Sequence, residues 1–169
     1  MQWKGSAVRS AEAEYESEPQ PRSSLAGLFS DLVRLETELW DRVDHRLRRD
    51  HDLPLSWFEP MEVMDRVPGC RVADIAQSLS ITVGGTSKLV DRIERAGLCA
   101  RRPNPGDARS SLLALTPDGR RRLAAAQGSF EAELEAWLGA ALSPERLDSL
   151  AATVRDVRRH IADRQGSAR

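Results

Sequence analysis

The residues of this chain best placed to do chemistry are cations. Lys88 and Arg92 lie one helical turn apart, and Arg101, Arg102 and Arg109 follow in a segment broken by Pro103, Asn104, Pro105 and Gly106. Between Arg66 and Arg109 eight Lys and Arg stand against four acids, a local balance of +4 in a 169-residue chain whose net charge is -1. Local positive charge supplies the phosphate attraction that dominates affinity for DNA. Just before Lys88 come Thr82, Val83, Gly84, Gly85, Thr86 and Ser87. Hydroxyls of this kind bond to several bases, and Val83 or the Thr86 methyl can touch a thymine methyl. Catalytic patterns are missing: there is no glycine-rich phosphate loop, nucleophile elbow or paired-histidine metal motif. We therefore expect a binding protein with no cofactor and no metal, and not an enzyme. His45 and His51, near Asp44, Asp50 and Asp52, read as an exposed charged helix end.

The elements that must position these cations are legible between Arg71 and Leu115. Val72, Ile75, Ala76 and Leu79 recur at spacings of three and four, the mark of a short amphipathic helix. Ser80 and Ile81 make a turn, and Thr82 stands where an N-cap belongs. A second helix follows, with Leu89, Val90 and Ile93 inward and Gly97 as its C′ glycine. Ala76 is the small residue that lets two such helices cross. Leu98 to Arg101 and Leu112 to Leu115 read as strands around a turn. This is a helix-turn-helix followed by a basic β-wing, and its second helix can enter the major groove.

The run Ser87-Lys88-Leu89-Val90-Asp91-Arg92-Ile93-Glu94, the Ala96-Gly97-Leu98 exit, the Asp107-Ala108-Arg109 triplet and the Leu115-Thr116-Pro117-Asp118-Gly119 exit occur in this order over about fifty residues. The segment resembles the winged-helix DNA-binding lobe of the MarR family of bacterial transcription regulators. The resemblance implies a repressor that binds an inverted repeat in double-stranded DNA as a homodimer. It also implies that Arg109 enters the minor groove, where narrow A·T-rich stretches attract positive charge. We expect Asp107 to hold that guanidinium, Lys88 and Arg92 to bind phosphates, and Arg101 and Arg102 to add to the basic wing. Family members often bind small anionic or aromatic effectors. Here Trp40, Trp57, Phe58, Met61 and Met64 are candidates to wall such a pocket, and Arg34, Arg42 and Arg71 to pair with an anion.

The rest of the chain reads as support, mainly α with a small β-wing: a winged helix-turn-helix lobe plus a helical dimerisation region. Residues 1–22 form a tail, either disordered or a short extra helix. Residues 23–54 carry the first long helix, ending near Arg48, with Leu25, Leu28, Phe29, Leu32, Leu35, Leu39, Val43 and Leu47 as its apolar stripe. The lobe spans 55–115, and its first helix is expected to open with a Ser56–Glu59 capping box. Residues 116–164 hold two further helices. In the first, Thr116 caps, Pro117 takes the first position, and the helix runs to about Ala141. In the second, Leu147, Leu150, Val154, Val157 and Ile161 form a seam that needs a partner. Residues 165–169 are a tail.

No apolar run approaches the ~20 residues that span a bilayer, and no signal-peptide core follows the N-terminus. A cytoplasmic location is expected. The return strand of a winged-helix sheet would separate Cys70 from Cys99 by roughly 9 to 10 Å, too far for a disulfide. Two readings outside this one are a winged-helix module that binds protein and a regulator switched by cysteine oxidation.

Overall fold

A computed structural model of the protein describes residues 24–107 and 109–166. The expected tail 1–22 and Ala108 of the wing triplet lie outside the described residues. Helix α1 (Leu25–His51) starts where Ser24 Oγ accepts the Gly27 N–H at 3.0 Å. It runs one turn beyond the predicted end, because Asp44–Arg48 and Arg46–Asp50 pairs lie along its last turns and Arg48, Arg49 and His51 suit its negative carbonyl end. Asp52 closes it in the left-handed region (φ 49°).

Helix α2 (Leu55–Arg66) begins two residues earlier than the expected capping box allows, with Pro54 rather than Ser56 at the cap. Pro54, whose ring presets φ, stands at the cap. The Leu55 N–H is satisfied across the corner by Asp44 Oδ1 of α1 at 2.8 Å. A carboxylate distant in sequence thus replaces the local Ser56–Glu59 cap and fixes the α1–α2 corner. Pro60 lies buried within α2 and costs it one internal hydrogen bond.

Helices α3 (Val72–Ser78) and α4 (Val83–Arg95) form the helix-turn-helix. Asp74 caps α3 by accepting the Arg71 N–H at 2.8 Å. Ser80 takes a left-handed φ of 56°, and the Ile81 N–H returns to the Ala76 carbonyl at 3.0 Å. Ala76 is buried at the crossing, beside the core residues Ile75, Val90 and Ile93. Gly97 closes α4 with φ 75°. Strands β1 (Cys99–Pro103) and β2 (Ser111–Leu115) pair antiparallel, Cys99 opposite Leu115 and Arg102 opposite Leu112. Both strands are longer than predicted. The Leu113 N–H reaches across to the Cys70 carbonyl at 2.7 Å, so β2 lies between the two cysteines as expected.

Helix α5 (Pro117–Leu134) is capped by Thr116, whose Oγ1 accepts the Gly119 N–H at 3.0 Å. It does not continue as α-helix to Ala141: residues Glu135–Gly139 form a π-helical turn, and α6 (Pro144–Gly166) follows. Phe58 of α2 stacks on Phe130 of α5 with ring centroids 4.8 Å apart, and His51 Nε2 meets Ser129 Oγ at 2.8 Å. The core therefore runs from the lobe through α2 to the end of α1 and the middle of α5. It stops there. Every residue of α1 from Leu25 to Glu38, and of α6 from Asp148 to Arg164, is exposed.

At the lobe's exit the Thr116 hydroxyl donates to the Gly97 carbonyl at 2.7 Å while the Thr116 N–H donates to the Leu98 carbonyl at 3.0 Å. A Cβ on Gly119 would lie 1.9 Å from the Leu98 carbonyl oxygen. That neighbour is backbone and cannot rotate away. Gly119→Ala should therefore lower the unfolding free energy by about 3 kcal/mol, at the upper end for overpacking, as read by urea denaturation. A loss under about 1 kcal/mol would mean that α5 can slide off Leu98 at little cost.

Candidate nucleic-acid interface

Helix α4 offers its first turn and one flank outward. Thr82 caps it, its Oγ1 accepting the Gly85 N–H at 3.2 Å. Val83, at 57 % exposure, Gly84, Gly85 and Lys88 are open, Ser87 is half-buried, and Arg92 is exposed one turn after Lys88. Thr86 is a correction. It is fully buried, and its hydroxyl donates to the Thr82 carbonyl at 2.9 Å. Thr86, Val90 and Ile93 recur at four and three, so the periodicity that places Val90 in the core places Thr86 there too. Its methyl cannot reach a base in this conformation.

The wing sorts its arginines into two kinds. Arg101 is not an outward cation. Its Nη1 bonds to Glu94 Oε2, its Nη2 to Asp91 Oδ1 at 2.6 Å, and its backbone N–H to Glu94 Oε1 at 2.8 Å. Asp91 and Glu94 stand three apart on α4, so one guanidinium spans both and fastens β1 to the helix. Arg102, the next residue, points to the other face of the strand and is exposed. Arg109 is exposed at the tip.

Asp107 differs from its expected role. Its Oδ1 accepts the Arg109 backbone N–H at 3.0 Å, and no ion pair joins its carboxylate to the guanidinium. It shapes the turn, as aspartates two residues before an N–H commonly do. Asn104 works with it: its Oδ1 accepts the Gly106 N–H at 3.0 Å and its Nδ2 donates to Ser110 Oγ at 2.8 Å. Asp91, Glu94, Asn104 and Ser110 are the positioning residues that sequence reasoning missed. The signal available for the first two was their spacing of three beside a basic strand.

Elsewhere on the lobe the cations are engaged. Arg71 pairs with Asp74 at 3.4 Å, Arg66 donates to Ser78 Oγ at 3.3 Å, and Arg95 donates to the Asp91 carbonyl at 3.1 Å. Among the described residues, no acid pairs with Lys88, Arg92, Arg102 or Arg109. The unpaired charge of the lobe is thus concentrated on α4 and the wing.

The ligand candidates scatter. A cavity of about 410 Å³ lies between α1, α2, α5 and α6, with Leu32, Leu35, Trp40 and Phe130 among its apolar walls and Glu36 and Glu59 as its acids. Trp40 is the one aromatic candidate it contains. Phe58, Met61 and Met64 are buried in the core, and Trp57 packs against that core from outside the cavity. The arginines proposed for an anion are also elsewhere: Arg34 is exposed on α1, Arg42 lies 3.7 Å over the Trp137 ring, and Arg71 serves Asp74. Helical spacing marked the aromatic and Met residues as inward but could not say whether they face core or cavity. Burial raises the Glu59 carboxyl above its ordinary range, helped by the charges of Glu62 and Glu36.

Cys70 and Cys99 are free and buried. Burial, helped by Asp74, pushes the Cys70 thiol up to about 11, and burial, helped by Glu94, does the same for Cys99. A buried, protonated thiol lacks the thiolate that oxidation requires, which disfavours the cysteine-switch alternative. His45 is exposed and His51 is held by Ser129. Among the described residues, no cluster of His, Cys, Asp and Glu could hold a metal ion, and no helix is long and apolar enough to cross a membrane.

Comparison with known proteins agrees with this geometry. A family profile described as MarR family matches residues 51–110. The multiple antibiotic resistance protein MarR of Salmonella typhimurium (strain LT2) is 38% identical over 103 residues, covering 57% of this chain and 71% of that protein. Among solved structures, the transcriptional repressor CouR bound to a 23-mer DNA duplex is similar with a TM-score of 0.71 and 27% identity, over 80% of this chain and 92% of that one. Sco3205, a MarR family transcriptional regulator from Streptomyces coelicolor in complex with DNA, has a TM-score of 0.74 at 24% identity, over 79% of this chain and 88% of that one. With its helix-turn-helix, its two-stranded wing and its unpaired cations on both, the chain belongs to the MarR family of transcription regulators.

Proposed function

We propose that this regulator is a repressor that binds an inverted-repeat operator as a homodimer and is released by a small ligand. The observation that carries the reading is the set of exposed, unpaired cations Lys88, Arg92, Arg102 and Arg109 on the recognition helix and wing. Helix α4 enters the major groove with Thr82, Val83, Gly84, Gly85 and Ser87 foremost. Arg109 reaches the adjacent minor groove from a tip held by Asp107 and Asn104. Residues 55–115 act as the DNA-binding lobe, and 23–54 with 116–164 as the dimerisation region. The uncovered apolar residues of α1 and α6, such as Phe29 at 69 % and Val157 at 54 % exposure, support a second copy as their cover. That CouR is a repressor solved on a DNA duplex supports the same reading. A regulator of this kind works in the cytoplasm, where bacterial DNA lies.

The test is selection of genomic fragments by the purified chain. We expect enrichment of an inverted repeat whose half-sites lie about one helical turn apart, bound with an affinity that falls steeply with salt. Enrichment of single half-sites, or binding indifferent to salt, would count against the reading.

Two variants separate the wing's arginines. Arg102→Met should weaken operator binding and flatten its salt dependence by about one phosphate per subunit. Arg101→Met should weaken binding with the salt dependence retained, and should cost about 1 kcal/mol of stability, because it removes a brace. A flattened salt slope for Arg101→Met would return that residue to the DNA-contacting set.

Gly84 supplies another expectation. A Cβ there meets nothing within 4 Å, so nothing among the described residues asks for glycine. Close approach of DNA would ask for it. Gly84→Ala should raise stability by up to about 1 kcal/mol and at the same time weaken operator binding by about tenfold. A more stable variant with unchanged affinity would show that α4 does not lie that close.

A further inference from the structure

We propose that Val83 sets the base preference of each half-site by packing against the C5-methyl group of a thymine in the major groove. This deepens the operator-binding reading and rests on it. Among the groups that base pairs present in that groove, the thymine methyl is the apolar one, and the others donate or accept hydrogen bonds. The front of α4 therefore reads bases either by hydrogen bonding or by apolar contact, and its side chains decide which.

From Ile81 to Ser87 there is no Arg, Asn or Gln that could bond two atoms of one base. Thr82 spends its hydroxyl oxygen on the Gly85 N–H. Thr86 is buried with its hydroxyl on the Thr82 carbonyl. Gly84 and Gly85 bring no side chain, and Ser87 is half-buried. Lys88 and Arg92 stand further along α4 and carry charge. What remains at the front is Val83, exposed at the first position of the helix, with the exposed Ile81 in the turn before it. A Cβ on Gly84 would touch nothing, so the space next to Val83 is open. An exposed valine brought to a base edge has one favourable partner. Against a thymine methyl, both groups leave water. Against the amine of cytosine or the polar edge of a purine, it strips a donor or acceptor of water and returns no bond. Branching at Cβ also leaves Val83 few rotamers to lose when it is held on DNA.

The experiment uses the full chain and the operator obtained by genomic selection. Each thymine of one half-site is replaced in turn by deoxyuridine, which lacks only the methyl group. At one thymine the affinity should fall about fourfold, the worth of one buried methyl group. Cytosine and 5-methylcytosine placed at the same position, each paired with guanine, should differ by about the same factor in favour of the methylated base. Val83→Ala should bind the thymine and deoxyuridine operators within about twofold of each other. It should keep the parent's salt dependence, because no charge is removed. A selected half-site without thymine would overturn the proposal, and so would thymines that all tolerate deoxyuridine. A penalty undiminished in Val83→Ala would overturn it too, since the methyl would then act on another residue or on the shape of the DNA. Operator binding keeps this inference apart from the reading beneath it. Operator bound without a methyl effect sinks the role of Val83 alone, whereas the absence of salt-dependent operator binding sinks both.

Discussion

The architecture depends on one close approach, the first turn of α5 lying directly on the Leu98 carbonyl. Gly119 makes it sterically allowed, since any side chain there would collide with that oxygen. Thr116 adds three bonds to it: its hydroxyl oxygen accepts the Gly119 N–H that opens α5, the same hydroxyl donates to the Gly97 carbonyl at the end of α4, and its backbone N–H donates to the Leu98 carbonyl. Three elements meet within a few residues: the end of α4, the start of the wing and the start of α5. Because the contact is backbone on backbone, it has no soft side chain to absorb a displacement.

Charge is divided with the same economy of parts. Of the two neighbouring arginines on β1, alternation along the strand sends Arg101 toward α4 and Arg102 away from it. The first is spent on Asp91 and Glu94, making wing and helix one body; the second stays open. The tip is held by short local bonds from Asn104 and Asp107 to backbone N–H groups. A wing so braced has less conformational freedom to lose on docking than a loose hairpin carrying the same charges.

The other half of the molecule carries its apolar residues largely in the open. The core ends at the Phe58–Phe130 stack and the last turns of α1. Beyond it, the first half of α1 and most of α6 expose Leu, Phe, Val and Ile side chains. Among the described residues these amphipathic stripes have no apolar surface to lie against. The cavity sits at the border of the two regions. Its walls belong partly to the core and partly to the uncovered helices, so its shape responds to how those helices are held.

The sequence by itself determined the elements and the lobe. Periodicity placed α3, α4 and α6, Gly97 ended α4, and Thr116 with Pro117 opened α5, because caps, breakers and apolar spacing act over a few neighbouring residues. The order of motifs from Ser87 to Gly119 carried the family as well. What the sequence could not show was which partner a charged or capping residue takes when several lie within reach. Asp44 rather than Ser56 satisfies the start of α2, Arg101 turns to Asp91 and Glu94 rather than outward, and Asp107 takes a backbone N–H rather than a guanidinium. The cavity is a tertiary matter too: Glu36, Glu59 and Phe130 come from three different helices, and nothing in their spacing along the chain brings them together. Local geometry is written in neighbouring residues; the choice among distant partners is made only when the packed chain sets the distances.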